Sequence, residues 1–399
     1  MSDDPKARPV ITLLPGRQRR AESGHPWIYS NEVAMDEAAK ALPPGSLVTV
    51  RKADGKALGV ATFNPHPLVS ARLLSRDATH RIDAGFFLRV LRRALHLRER
   101  LFAAPFYRLA HAEADGLPGL VIDRFGEALV CQFNTAGMAG LEAEILAALD
   151  ELLAPQTVLL RNDSPARLAE GIETEVRLAK GALEGPVELV ENGARFLADL
   201  RAGQKTGWFY DQRDNRRFMA GLARGGRLLD LYTFAGGFAI AAAVAGAQEV
   251  LAIDRSEAAL ALAEAAAARN GVAGRCTFRR GEAFAEMERL REAGEKFAAV
   301  IADPPAFVKS RKDLPAGLRG YRKLARLAAP LVAKGGFLFL ASCSHNADLA
   351  SFAEAVSRGI AEADRTARIL RTAGADADHP VHPALAESAY LKAQVFMLD

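Results

Sequence analysis

Cysteine is scarce in this chain: Cys131, Cys276 and Cys343 are the only three among 399 residues. They are widely spaced and odd in number, which excludes a disulfide framework and offers no zinc-ligand spacing. Such usage suits a reducing cytoplasm, and no metal site is expected. Long apolar runs are also missing, so no stretch is expected to cross a bilayer as a helix. The opening residues, Met1-Ser-Asp-Asp-Pro5, are acidic, unlike a secretory signal. Neither sign of charge dominates. Lys and Arg total 52 against 48 Asp and Glu, a formal net charge of +4, which permits a polyanionic partner without requiring one. There is no internal repeat and no long low-complexity tract. The fingerprint Gly-x-Gly-x-x-Gly is absent, which argues against a dinucleotide cofactor.

What is present is ordinary in bulk and specific in places. Half of the residues are hydrophobic and a quarter are charged, as in a globular chain with a real core. The length fits two or three domains. One stretch organises the rest, Arg227-Leu-Leu-Asp-Leu-Tyr-Thr-Phe-Ala-Gly-Gly-Phe238. Leu228 to Tyr232 reads as a buried strand interrupted by Asp230. Gly236-Gly237 then opens a helix over Phe238 to Ala245. A strand, a glycine turn and a helix amino terminus make a ligand-binding corner of an open α/β sheet. The next strand, Glu249 to Ile253, ends in Asp254, where an acid can hold both hydroxyls of a ribose.

The first segment, to about Ser75, reads as short strands: Val10 to Leu14, Leu47 to Arg51, Leu58 to Phe63 and Val69 to Leu73. Asp54-Gly55 marks a hairpin turn. Arg17, Arg19 and Arg20 form a basic cluster, followed by Trp27 and Tyr29, which fit core packing better than RNA stacking. The second segment alternates helix and strand. Ala84 to Leu101 is an amphipathic helix whose arginines, Arg98 among them, read mostly as a solvated face. Strands follow over Phe106 to Ala112, Leu120 to Arg124, Ala128 to Phe133 and Thr157 to Arg161, with a helix over Leu141 to Leu153. Val187 to Glu191 and Arg195 to Ala198 pair through Asn192-Gly193. This is an α+β pattern with a short antiparallel sheet.

The chemistry lies in the third segment. Gln204 to Arg217 precedes the glycine corner and is polar and aromatic together. Lys205, Tyr210 and Arg213 are candidates to face a cofactor. Glu282 closely follows a third strand, Cys276 to Arg279. Asp230, Asp254 and Glu282 therefore fall after successive strands on one sheet edge. They suit, respectively, a methionine amino group or the backbone turn, a ribose, and an adenine amino group. Thr233, Phe234, Gly236 and Arg255 are further candidate cofactor contacts. Strand four, Phe297 to Ala302, ends in Asp303-Pro304-Pro305-Ala306-Phe307. The Pro-Pro pair holds the chain rigid where Asp303 leaves the sheet, with Phe307 available for stacking. A basic run follows, with Lys309, Arg311, Lys312, Arg322 and Lys323 as candidate RNA contacts. Strand five, Gly336 to Ser342, delivers Cys343. A polar-flanked cysteine at a strand end, before a helix starting near Asn346, suits a reactive thiolate. Asp376 to Pro380 is a polar loop that could cover the site.

Together these motifs resemble the RlmI-type large-subunit ribosomal RNA cytosine-C5 methyltransferase family. The resemblance rests on Lys205-Thr-Gly-Trp-Phe-Tyr-Asp-Gln-Arg213, Tyr232-Thr-Phe-Ala-Gly-Gly-Phe238, Asp303-Pro-Pro-Ala-Phe307 and Ser342-Cys-Ser344. Gly24-His-Pro-Trp-Ile-Tyr-Ser30, Asp378-His-Pro380 and Tyr390-Leu-Lys392 extend it over nearly the whole chain. It implies three domains: an RNA-binding β-rich PUA-like domain over 1–75, a small α+β domain over 76–190 and a Rossmann-like class I methyltransferase domain over 191–399. The last would carry a mixed seven-stranded sheet and bind S-adenosyl-L-methionine. The resemblance further implies cytoplasmic action on ribosomal RNA, and a homodimer is possible. Cytosine C5 is a poor nucleophile, so Cys343 is expected to add to C6, with Asp303 at N3 stabilising the adduct. His345 and His379 are candidates for the final base. Two rivals stand beside this: an exocyclic-amine methyltransferase using Asp303-Pro304-Pro305, and a non-enzymatic RNA-binding assembly factor.

Overall fold

Short strands broken by turns make the first part of the chain, and a helix-crossed parallel sheet makes the last. The computed structural model describes residues 3–399. Met1 and Ser2, where the acidic opening stretch begins, lie outside the described residues. Contacts divide the chain into two units. The first holds Met1–Gly185, Leu200–Trp208 and Asp378–Ser388, and the second holds Pro186–Asp199, Phe209–Ala377 and Ala389–Asp399.

The first unit contains two five-stranded sheets. In one, Val10–Thr12, Ser46–Arg51, Ala57–Phe63, Val69–Ser75 and Trp27–Tyr29 lie side by side in that order. Alternating residues such as Val48, Val50, Ala61 and Ala71 fill its core. In the other, Glu175–Lys180, Thr157–Asn162, Ala128–Phe133, Leu120–Phe125 and Phe106–His111 are neighbours. The helix Ala84–Leu101 packs Phe87, Leu91 and Leu95 onto it. Glu175–Lys180 escapes sequence patterning because it is an edge strand with little burial. Cys131 is fully buried in Ala128–Phe133, and burial pushes its thiol well above the usual range.

Arg89, Arg92, Arg93 and Arg100 are exposed, as a mostly solvated arginine face requires, and Arg98 is the exception. It is fully buried. Its guanidinium grips Asp115 with two bonds of 2.6 and 2.7 Å and also donates to the carbonyls of Arg108 at 2.9 Å and Asp378 at 3.0 Å. The loop over Asp376 to Pro380 joins the same network through Asp378. Asp378 accepts from the Arg108 amide at 3.0 Å and from His379 Nδ1 at 2.7 Å, and both residues are buried. Polar groups go inside only where partners await them. Removing one partner of a buried pair strands the other charge, at a cost of about 3–5 kcal/mol. Arg98→Ala should therefore lower the denaturant midpoint of the first unit by about that stability, read from the tyrosine and tryptophan signals. An unchanged midpoint would show that the network contributes nothing.

The second unit opens with a hairpin, Val187–Glu191 and Ala194–Ala198. Asn192 and Gly193 take φ of 52° and 80°, the left-handed pair of a tight I′ turn. A helix α1 (Arg213–Leu222) then leads into a seven-stranded sheet. Its strands are β1 (Arg227–Leu231), β2 (Glu249–Asp254), β3 (Cys276–Arg280), β4 (Phe297–Ala302), β5 (Val332–Ser342), β6 (Ala367–Ala373) and β7 (Lys392–Leu398), in the order β3-β2-β1-β4-β5-β7-β6. The first five are parallel, and β7 runs antiparallel to both neighbours. The connecting helices are α2 (Gly237–Ala245), α3 (Glu257–Arg269), α4 (Ala283–Glu292), α5 (Leu314–Ala328) and α6 (Leu349–Ala361). Near-continuous apolar strands such as Leu228-Leu-Asp-Leu231 and Val300-Ile-Ala302 are buried, as helices on both faces of a parallel sheet require. Helices α4, α5 and α6 share one core with the sheet through Met287, Leu324 and Phe352. Strand order reverses between β1 and β4, which run on either side of the sheet centre. Ligands bind at such a switch point, outside the carboxyl ends of the strands.

Candidate active site

The turn after β1 is held in a costly shape. Tyr232 and Phe234 take φ of 63° and 51°, and Gly236 takes 81°. Left-handed backbone at two non-glycine residues is paid for by the surroundings and clusters at functional sites. Two carboxylates hold the turn. Asp230 accepts from Thr233 Oγ1 at 2.6 Å and from the Ala239 amide at 3.0 Å. Asp254 accepts from the Phe234 amide at 2.9 Å and the Ser256 amide at 2.9 Å. Of the two roles expected for Asp230, it fills the backbone-turn role here.

Asp230 is fully enclosed, and burial pushes its carboxyl up to about 7 against the pull of its two hydrogen bonds, with Asp303 and Asp254 adding repulsion. The folded protein thus holds this proton where an unfolded chain, titrating near 4, does not. The stabilising contribution is complete below about pH 4 and is lost as pH rises through 7. Melting temperature should therefore fall between pH 5 and 8 in the wild type, and Asp230→Asn should flatten that fall. Equal slopes in both proteins would contradict this assignment.

Further acids gather at the same edge. Asp254 is half-buried and Glu282 is exposed, capping α4 through the Ala285 amide at 2.9 Å. Tyr232 lies among them: its phenol is pushed up first by burial, then by the charge of Glu282, with Arg255 opposing and Asp254 assisting. Phe209 meets Phe234 edge-on at 5.3 Å between ring centroids. An acid-lined, strained, partly open turn suits an adenosine-bearing ligand, whose hydroxyls and amino group are hydrogen-bond donors.

Asp303 leaves β4 beside this turn. Gln212 donates to it at 2.9 Å, and Asn215 fixes the Gln212 amide by donating to its oxygen at 2.7 Å. Sequence reasoning missed Gln212, although it sits in the Tyr210-Asp-Gln-Arg213 motif. Tyr210 is buried, and Arg213 lies 5.1 Å over its ring. Arg213 also pairs with Glu191 at 3.5 Å and Asp376 at 3.4 Å, so its charge is balanced within the protein. Lys205 belongs to the first unit and is exposed. Phe307 corrects the expectation of a free stacking ring. It packs between Phe284, stacked at 6.4 Å, and Tyr321 at 4.8 Å. Gly320 makes room for it: a Cβ there would lie 2.9 Å from the ring.

Cys343 leaves β5 at the same edge as Asp303 leaves β4, because Ala302 is the register partner of Leu340. It is half-buried. Its flanking serines are fixed. Tyr321 Oη lies 2.7 Å from Ser342 Oγ and 2.8 Å from Ser344 Oγ. The Val308 amide donates to Ser344 Oγ at 3.1 Å, and Lys392 Nζ donates to the Ser344 carbonyl at 2.6 Å. The helix expected near Asn346 begins instead at Leu349, capped by Asp348 through the Ser351 amide at 2.7 Å. Its amino terminus is thus capped by an acid, and Lys392 interacts with the Cys343 charge. His345 is exposed and stacks on Tyr390 at 5.3 Å, while Tyr390 donates to Asp211 at 2.5 Å. His379, the other candidate base, is buried in the first unit against Asp378.

The basic residues separate. Arg322 pairs with Glu362, and Lys323 Nζ lies 4.8 Å over the Phe284 ring. Lys309, Arg311 and Lys312 are exposed ahead of α5. In the first unit Arg17 and Arg19 are exposed, and Arg20 lies 4.4 Å over the Tyr29 ring. Trp27 Nε1 donates to Glu113 at 2.8 Å, which satisfies its polar edge.

The profile of the S-adenosylmethionine-dependent methyltransferase family matches residues 174–397, and a PUA-like domain profile matches 11–76. The chain is 34% identical over 387 residues to Ribosomal RNA large subunit methyltransferase I of Erwinia tasmaniensis, covering 96% of this chain and 97% of that one. It is 36% identical to the enzyme of the same name from Aeromonas hydrophila, covering 96% and 98%. The chain belongs to this methyltransferase family. Its cofactor is S-adenosylmethionine. The fold is shared more widely. A Streptococcus mutans protein described as S-adenosylmethionine-dependent superposes with a TM-score of 0.82 at 19% identity, over 98% of this chain and 100% of that one. A methyltransferase crystallised with S-adenosylhomocysteine also gives 0.82 at 18% identity, over 98% and 99%.

Proposed function

We propose that this protein methylates C5 of a cytosine in large-subunit ribosomal RNA, using Cys343 as a covalent nucleophile. The substrate class is supported by the names of the relatives, which align over nearly their full length. The observation that carries the reaction is Cys343 following β5 on the same sheet edge where Asp303 follows the paired strand β4. A half-buried cysteine held between two hydrogen-bonded serines is built for position, whereas Cys131 is built for packing. S-adenosylmethionine would supply an electrophilic methyl group. The Cys343 thiolate adds to C6, and the electron pair moves to C5, which takes the methyl group. Asp303 at N3 stabilises the adduct. A base then removes the C5 proton, and elimination across C5–C6 frees the thiolate. The target base is unstacked to enter.

In this reading Asp254 holds the ribose and Glu282 the adenine amino group, with Arg255, Thr233, Phe234 and Gly236 shaping the pocket and Tyr210 and Arg213 behind it. Arg17, Arg19 and Arg20 of the PUA-like domain, with Lys309, Arg311, Lys312, Arg322 and Lys323, contact RNA phosphates. The protein acts in the cytoplasm. Nucleoside mass spectrometry of large-subunit ribosomal RNA tests the reaction. RNA from a strain lacking the protein should lose one 5-methylcytidine. Loss of an exocyclic N-methyl nucleoside would replace the C5 reading with amine methylation, and an unchanged profile would favour an assembly role.

A further inference from the structure

Lys392 is a buried lysine that the reaction as written does not use. It opens β7 opposite Ser342 in the antiparallel pairing with β5, and only 7% of it is exposed. Its ammonium donates to the carbonyl of Ser344, the residue after Cys343, at 2.6 Å. A carbonyl bond alone could come from a neutral donor. Keeping an ammonium inside a protein is costly unless an anion faces it. The acid near it is Asp348, which is exposed and already caps α6.

We propose that Lys392 is the counter-ion of the Cys343 thiolate and fixes the Ser342–Ser344 turn through the Ser344 carbonyl. The proposal rests on the nucleophilic reading of Cys343. Three groups from three elements interact here: Lys392 from β7, Tyr321 from α5 and Asp348 at the start of α6. Lys392 alone of the three is cationic. Burial lowers its proton affinity, while a charged Cys343 and then Asp348 restore it. Tyr321 holds its proton more tightly than usual, first through burial, with the Cys343 charge among the further causes. The coupling is reciprocal, so an ammonium that gains from the thiolate favours ionisation of the thiol by the same free energy. Lys392 keeps its proton throughout: it stabilises the thiolate before addition to C6 and again on elimination. It is a positioning residue, since it reaches the reacting atom through charge and through the turn.

The test is the pH dependence of Cys343 alkylation by iodoacetamide, read by peptide mass spectrometry. The other thiols stay silent in this range, because Cys131 is buried and Cys276 is pushed up to about 11. Lys392→Gln keeps a donor for the Ser344 carbonyl and removes the charge. With S-adenosylhomocysteine binding intact, its midpoint should rise by about one pH unit or more, a tenfold loss of thiolate at neutral pH. A midpoint within about 0.3 units of wild type would overturn the pairing. If the Gln variant loses S-adenosylhomocysteine binding, Lys392→Arg decides: the wild-type midpoint supports the charge role, and a raised one overturns it. Reacting the wild type with 5-fluorocytidine RNA separates the two readings. A thiol that responds to Lys392 yet forms no adduct leaves the ion pair standing and removes the cytosine chemistry.

Discussion

Cys343→Ala should lower methyl transfer to ribosomal RNA by at least about 10⁴-fold, while S-adenosylhomocysteine binding stays within about threefold of wild type. Loss of a covalent nucleophile removes the whole low-barrier route, and what remains is positioning alone. Cytosine C5 has no adequate intrinsic nucleophilicity, so positioning cannot replace the adduct. The substitution is mild for the fold: Cys343 is half-buried, and its neighbours Ser342 and Ser344 keep their bonds to Tyr321. Single-turnover methylation with radiolabelled cofactor measures the effect. Full activity would make Cys343 incidental and favour the amine reading of Asp303-Pro304-Pro305.

Asp303→Asn should cost about 10²–10⁴ in kcat with little change in KM, the range for losing a positioned acid–base or electrostatic group. The Gln212 amide, itself fixed by Asn215, donates to the Asp303 carboxylate and so sets its orientation. Asparagine keeps the size and the contact but cannot deliver a proton to N3, where negative charge develops as the thiolate adds to C6. Asp303 also stands among the acids near Asp230. If calorimetry shows the variant losing cofactor affinity in step with kcat, its role is to bind the cofactor rather than to stabilise the adduct.

Much of this site was legible because it is local. The strands ending in Asp254, Asp303 and Cys343 are short apolar runs broken by a polar residue, a glycine turn or Pro-Pro, and each break lies at the sheet edge. The hairpin through Asn192-Gly193 was legible for the same reason. What escaped depends on partners far away in sequence. Arg98 shares the helix face of Phe87, Leu91 and Ala94, and only folding brings the Asp115 carboxylate and the Asp378 carbonyl that allow a charge to be buried there. Phe307 looks available until Gly320 and Tyr321 close around it. Gln212 and Lys392 carry no intrinsic signal as a glutamine and a lysine. Only folding brings one to Asp303 and the other to the turn that carries Cys343. The start of α6 was misplaced by three residues because Asn346 and Asp348 are both good caps, and Asp348 is the one that accepts the Ser351 amide.

The central claim is a covalent bond between Cys343 and a cytosine. It is tested most directly with large-subunit ribosomal RNA carrying 5-fluorocytidine, incubated with the protein and S-adenosylmethionine. Fluorine at C5 leaves no proton to remove after methyl transfer, so elimination stalls. The account predicts a denaturation-resistant complex whose digest yields one peptide, linked through Cys343 to a methylated 5-fluorocytidine. A methylated product with no protein attached, or a link to any other residue, would contradict it.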